Sequence, residues 1–134
     1  MKHTLKNLDL IELRAAHHKL DGFQFDGKTT YDLVKNLRKL NDAFAIFEDV
    51  RSKVVQRIAP DTLQIQQNTP EWEVYMKEYQ TLLHVQTEVD LVQITWADLN
   101  IDGGAKDSGL TPNKIPVTVL AVLDAYILTK KETA

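Results

Sequence analysis

Apolar residues recur at helical spacing through most of this chain. The clearest run is Leu33, Leu37, Leu40, Phe44, Phe47, Val54 and Ile58, with steps of 4, 3, 4, 3, 7 and 4. That is a heptad seam of nearly four repeats, with Arg51 at the interrupted position. It predicts a helix from Thr29 or Thr30 to just before Pro60. About 28 residues at 1.5 Å each make a rod of about 42 Å. A helix that long draws its stability from packing along its length, not from propensity.

Shorter patterns flank it. Leu13, Ala16 and Leu20 mark a first helix over Asp9–Leu20. Asp9 is its expected cap, Glu12 reaches back to it, and Leu8 and Leu13 form a staple. Asp21-Gly22 ends it. In the connection over residues 22–29, Phe23 and Phe25 alternate and are expected to tuck under the helices. After Pro60, TLQIQ alternates and reads as a short strand. Thr69-Pro70-Glu71 supplies a cap, a first-turn proline and a first-turn acid for a third helix ending near Val85. Its apolar face is Trp72, Tyr75, Met76, Tyr79, Leu82 and Leu83. EVDLVQIT (residues 88–95) is β-branched and alternating, hence a second strand. TLQIQ is its expected partner, because a lone strand leaves backbone groups unpaired. Pro116 opens a closing helix to about Leu128, apolar apart from Thr118 and Asp124, and followed by Lys130-Lys131. Such a helix is buried in the domain or in an interface. The predicted fold is therefore mainly α (α+β at most). It is one domain over residues 1–134, with packed helices, one of them long and heptad-patterned, and a minor two-stranded sheet.

Composition narrows the chemistry. The 134 residues are 43% hydrophobic, enough for a core without staples, and contain no cysteine. Disulfides, thiolate metal sites and a cysteine nucleophile are thereby excluded. Residues 1–60 carry 11 Lys/Arg against 8 Asp/Glu, and residues 61–134 carry 5 against 11. The basic half is diluted with acids and gives no phosphate-binding stripe, so nucleic-acid binding is not expected. No apolar run reaches the ~20 residues of a membrane span. The charged N-terminus does not read as a signal peptide. A soluble intracellular protein is expected, with no membrane partner.

Candidate sites are few. Asp98, Asn100 and Asp102, followed by Gly103, match the opening of an EF-hand loop. Lys106 and Gly109 then stand where the later ligands belong, so an acidic turn is the stronger reading and Asp98, Asn100 and Asp102 are weak metal candidates. A calcium-modulated module is the third functional reading. His17 and His18 are adjacent and diverge on a helix. No zinc-type histidine spacing exists, and neither Ser52 nor Ser108 sits in a nucleophile elbow. No enzyme activity, cofactor or catalytic residue is expected. Arg51 and Asp124 interrupt apolar surfaces. Each is either a solvent-reaching or paired side chain, or a device that sets register at an interface.

The order of features carries one resemblance. The elements are LxxLxxxFxxF with an arginine one turn on (Leu37, Leu40, Phe44, Phe47, Arg51), the helix EWEVYMKEYQTLL, an EVDL strand, the step Trp96, Asp98, Leu99, and a closing LTPNKIPVTVLAVLDAYI. Together these resemble a family of small proteins encoded by tailed bacteriophages and prophages, over nearly the whole chain. The resemblance supports treating DGGAKDSG as a loop, whereas Pro112 and Pro116 depart from the pattern and leave the start of the last helix open. It implies no activity. It implies a phage-encoded protein in the host cytoplasm or the virion that acts through protein–protein contacts. Its partners would be itself, other phage proteins or a host protein. A virion or assembly component is the first expectation, with Leu37, Leu40, Phe44, Phe47, Arg51 and Val54 as the interface. An inhibitor of a host defence protein, working through the acidic C-terminal half, is the alternative.

Overall fold

A computed structural model of the chain describes residues 2–101 and 113–129. It begins with a strand, β1 (Lys2–Lys6), that runs straight into helix α1 (Asn7–Lys19). After a 3₁₀ turn at Leu20–Gly22 come α2 (Gly27–Ile58), α3 (Pro70–Leu83), β2 (Gln86–Asp90), β3 (Ile94–Thr95), α4 (Val117–Tyr126) and β4 (Leu128–Thr129). The protein is mainly α with minor sheet, as its pattern predicts.

The sheet departs from expectation in its partner. TLQIQ forms no strand; β2 pairs antiparallel with β1, Lys2 opposite Asp90 and Lys6 opposite Gln86. The physical reason is burial. Leu5 and Val89 are 1% and 5% exposed on one face of this ladder. The other face carries only Lys2, Thr4, Lys6, Gln86, Glu88 and Asp90, all exposed. Leu63 and Ile65 have no comparable core to enter, and Leu63 is 54% exposed with φ of 55°. The predicted strand at 88–95 is also divided. Its second part, β3, pairs in parallel with β4, a strand not expected, where the chain leaves the closing helix.

Helix ends differ for local reasons. α1 begins at Asn7, and Lys6 at its cap position makes no side-chain capping bond. Asp9 therefore lies in the first turn and is not the cap. Asn7 takes over part of that role: its N–H donates to Val85 O and its side-chain amide to Leu82 O, at 3.0 and 2.8 Å. This ties the start of α1 to the end of α3. α2 starts earlier than predicted because Asp26 caps it, accepting from Thr29 N at 2.7 Å. That bond holds the Asp26 carboxyl below its ordinary pKa. Thr69 caps α3 as expected, accepting from Trp72 N.

One core forms where α1, the first half of α2, α4 and both small sheets meet. Leu10, Leu13, Leu40, Leu99, Leu123 and Ile127 are fully enclosed in it. Phe23 and Phe25 pack against it half-buried. Buried asparagines close the irregular backbone. Asn113 accepts from Gln24 N and donates to Gln24 O and Leu99 O at 2.6–3.0 Å. Asn36 on α2 both accepts from Val92 N (2.7 Å) and donates to Val92 O (3.0 Å). Buried backbone groups must find partners, and an asparagine amide offers one donor and one acceptor in peptide-like geometry.

Candidate functional site

The second half of α2 leaves the core. Phe47 is its last buried residue, and no residue from 48 to 82 is buried. Residues 48–58 extend the helix about 16 Å further at 1.5 Å per residue. α3 folds back along them, so the two helices form an arm whose interior has only two walls. What fills it is aromatic. Trp72 and Tyr75 lie 5.8 Å apart between ring centroids, Tyr75 and Tyr79 5.7 Å, Tyr79 and Phe47 6.2 Å, and Phe47 and Phe44 5.8 Å. Large flat rings span a two-helix gap that aliphatic side chains would leave open. Each such pair contributes roughly 0.5–1.5 kcal/mol beyond its buried area. Arg14 on α1 closes the ladder at the core end, its guanidinium carbon 4.1 Å from the Phe44 centroid.

The heptad seam is thereby occupied within the chain. Leu40 and Phe47 are enclosed, at 0% and 3% exposure. Leu37, Phe44, Arg51 and Val54 are half-buried. Leu37 lines a cleft of about 100 Å³ with His17, Phe23 and Phe25. Arg51 pairs bidentately with Glu48 one turn back, through Nε and Nη2. Glu48 and then the Tyr75 hydroxyl hold its proton more firmly than usual. This is the paired arginine at the domain edge. Arg57 bridges the two helices to Glu78 at 2.6 Å. The apolar side chains that α2 does leave in solvent are others: Val34, Ile46 and Val50, at 48%, 66% and 40% exposure. At the arm's tip an open cleft of about 400 Å³ is lined by Ile58, Pro60 and Ile65 among polar residues.

Of the weak metal candidates, Asp98 and Asn100 fall among the described residues. The Asp98 carboxylate accepts from Thr95 N at 3.1 Å, and Asp98 N donates to the Thr95 hydroxyl at 3.2 Å. Asn100 is buried in the left-handed conformation, its carbonyl accepting from Asn113 N. Asp102 lies outside the described residues. Among the described residues no cluster of three His, Asp or Glu is placed to hold a metal ion. Asp124 is exposed on α4, as is Val117 at 80%. Tyr126 at the end of α4 has its hydroxyl pKa pushed up to about 12, by burial first and by Asp9 and Glu12 second.

His17 is enclosed, unlike its neighbour His18. Its Nδ1 lies 2.8 Å from Leu13 O, so Nδ1 carries the proton, and Nε2 is buried without a partner. Burial pushes its pKa below the ordinary 6.5.

Sequence reasoning missed Asn36 and β1. KHTLK alternates as cleanly as QTEVD, with Lys2, Thr4 and Lys6 on one face. No family model, curated protein or solved structure matches the chain. Among the described residues no helix is long and apolar enough to cross a membrane.

Proposed function

We propose that this chain is a non-enzymatic interaction protein that works through the α2–α3 arm, as a component of a phage virion or of its assembly. The observation that supports this reading is the arm itself, in which residues 48–82 leave the core and bury no residue. A fold that needed only a stable monomer would gain by docking this hairpin onto its core. Projecting it leaves Val50, Leu63 and Val74 in solvent, at 40%, 54% and 50%. These apolar side chains, left uncovered along the two helices and their connection, are available for contact with a partner. The phage context comes from the resemblance in the order of sequence features.

Quantitative mass spectrometry of purified particles from a host carrying the gene tests it. The expected result is a fixed small-integer ratio to a known structural protein, lost when Val50 and Val74 are both replaced by aspartate. Absence from particles throughout assembly would overturn the virion reading. It would favour the second reading, inhibition of a basic host defence protein, for which the excess of acids in residues 61–134 is the supporting observation.

A further inference from the structure

His17 Nε2 is a buried acceptor with no partner among the described residues. Its counterpart Nδ1 is turned back on its own helix, 2.8 Å from Leu13 O. The far edge of the ring, which carries Nε2, therefore points off α1. There the ring lines the cleft of about 100 Å³ between α1, the connection that follows it and α2.

That cleft is graded from floor to mouth. His17 and Leu33 are buried at its floor, Phe23 and Phe25 are half-buried along its side, and Asp21 and Thr30 are exposed at its mouth. The polar groups it presents are acceptors. The one proton of the neutral His17 ring is committed to Leu13 O, which leaves the Nε2 lone pair. Asp21 brings a carboxylate. The Thr30 hydroxyl already donates to Phe25 O at 3.4 Å. A complementary molecule must therefore bring a donor. An anion meets Asp21 and no cation. A cation meets the burial that already keeps the His17 ring uncharged. His17 and Asp21 alone are too few for a metal site, and no group of three metal-ligating side chains exists among the described residues.

We infer that the cleft is a binding site for a neutral, single-ring molecule carrying one O–H or N–H, its ring against Phe23 and Phe25 and its proton on His17 Nε2. Size sets the single ring: an apolar cavity of about 150 Å³ takes up benzene, so about 100 Å³ with an open mouth suits one ring and no more. Access is through the two phenylalanines. They stand on the connection and not on a helix, and Asn113 holds Gln24 between them by both of its backbone groups. The rings can part while the chain that carries them stays in place. The site lies at the core end of α2 and does not depend on the reading given for the arm.

The test is an NMR titration of the ¹⁵N-labelled protein with phenol, set against benzene. Phenol should give saturable shifts at residues 17–25 and 33–37 and should move the His17 Nε2 resonance towards that of a hydrogen-bonded nitrogen. Benzene should shift the same amides, bind more weakly by about tenfold or more, and leave Nε2 where it was. His17→Leu should bring phenol and benzene to equal affinity. If that variant does not fold, the comparison on the wild-type chain decides by itself. Three results would overturn the inference: no saturable shifts at these residues with millimolar phenol, equal binding of phenol and benzene to the wild type, or phenol binding that leaves the Nε2 resonance unmoved.

Discussion

Arg14 fastens α1 to α2, just below the arm, by two contacts at once. Its guanidinium stacks on Phe44 and its Nε donates to Asn41 Oδ1 at 2.6 Å, so one side chain of α1 grips two residues of α2. Lysine has neither the flat face nor the fixed N–H. Arg14→Lys should lose about 1–2 kcal/mol in urea denaturation. Combining it with Phe44→Leu should lose less than the sum of the two singles, since they share one contact. Strict additivity would mean the stack contributes nothing.

Asn36 should be the costliest polar position. Asn36→Leu fills similar volume but removes both partners of the part-buried N–H and C=O of Val92, at up to roughly 1–3 kcal/mol for each unsatisfied group. Asn36→Asp keeps an acceptor but buries a charge. Both should lower the melting midpoint clearly, the aspartate more at pH 7 than at pH 4. A midpoint within a degree of wild type for the leucine variant would show that Val92 finds other partners.

The arm should open before the body. Its backbone bonds are backed by half-buried side chains only, so local opening costs less than global unfolding. Native-state hydrogen exchange should show amides in residues 48–82 less protected than those of Leu10, Leu13 and Leu123. Phe47→Ala removes the ring that joins the ladder to the core and should cost about 3–5 kcal/mol. Uniform protection across both regions would mean that arm and body unfold as one unit.

Arg51→Leu should change little. The arginine is 36% exposed, pairs with Glu48 in its own helix and interacts with the Tyr75 hydroxyl of α3, and solvent-reaching pairs of this kind are worth about 0–1 kcal/mol. Stability within that range and an unchanged sedimentation coefficient are expected. A new oligomer, or a loss well beyond it, would restore a register-setting role.

Acid should destabilise the protein through His17. Its folded pKa lies below the ordinary 6.5 because burial disfavours the charged ring. The unfolded chain therefore binds the proton first. Stability is full above about pH 6.5 and falls as the pH drops through that value towards the folded pKa. Protonation would add a buried Nε2–H with no acceptor. His18 beside it and Asp21 on the wall of the adjacent cleft are the titratable neighbours. His17→Leu should flatten the stability profile between pH 7 and 5. An unchanged slope would assign the acid sensitivity elsewhere.

Local pattern was enough to define the helices and the broad class. The heptad steps of α2, the Thr69-Pro70 start of α3 and the apolar stripe of α1 each depend on residues within one or two turns. Propensity, capping and periodicity act over that range, so the amino-acid order by itself determined them. It also contained the aromatic face of α3, though not that those rings would meet Phe47 and Phe44.

Strand pairing was decided only by the tertiary structure. KHTLK and TLQIQ alternate equally well, and both present the right backbone to QTEVD. The choice between them turns on which strand can lay a leucine on the common core. Leu5 can, because α1 follows it directly and Asn7 pins that junction to the end of α3. Leu63 cannot, because α2 carries it away on the arm. The seam of α2 divides for the same reason. Its spacing is uniform, but the first half meets α1 and the core while the second meets only α3. Periodicity shows that a face is apolar. What covers that face depends on residues distant in the chain, and those the fold alone brings together.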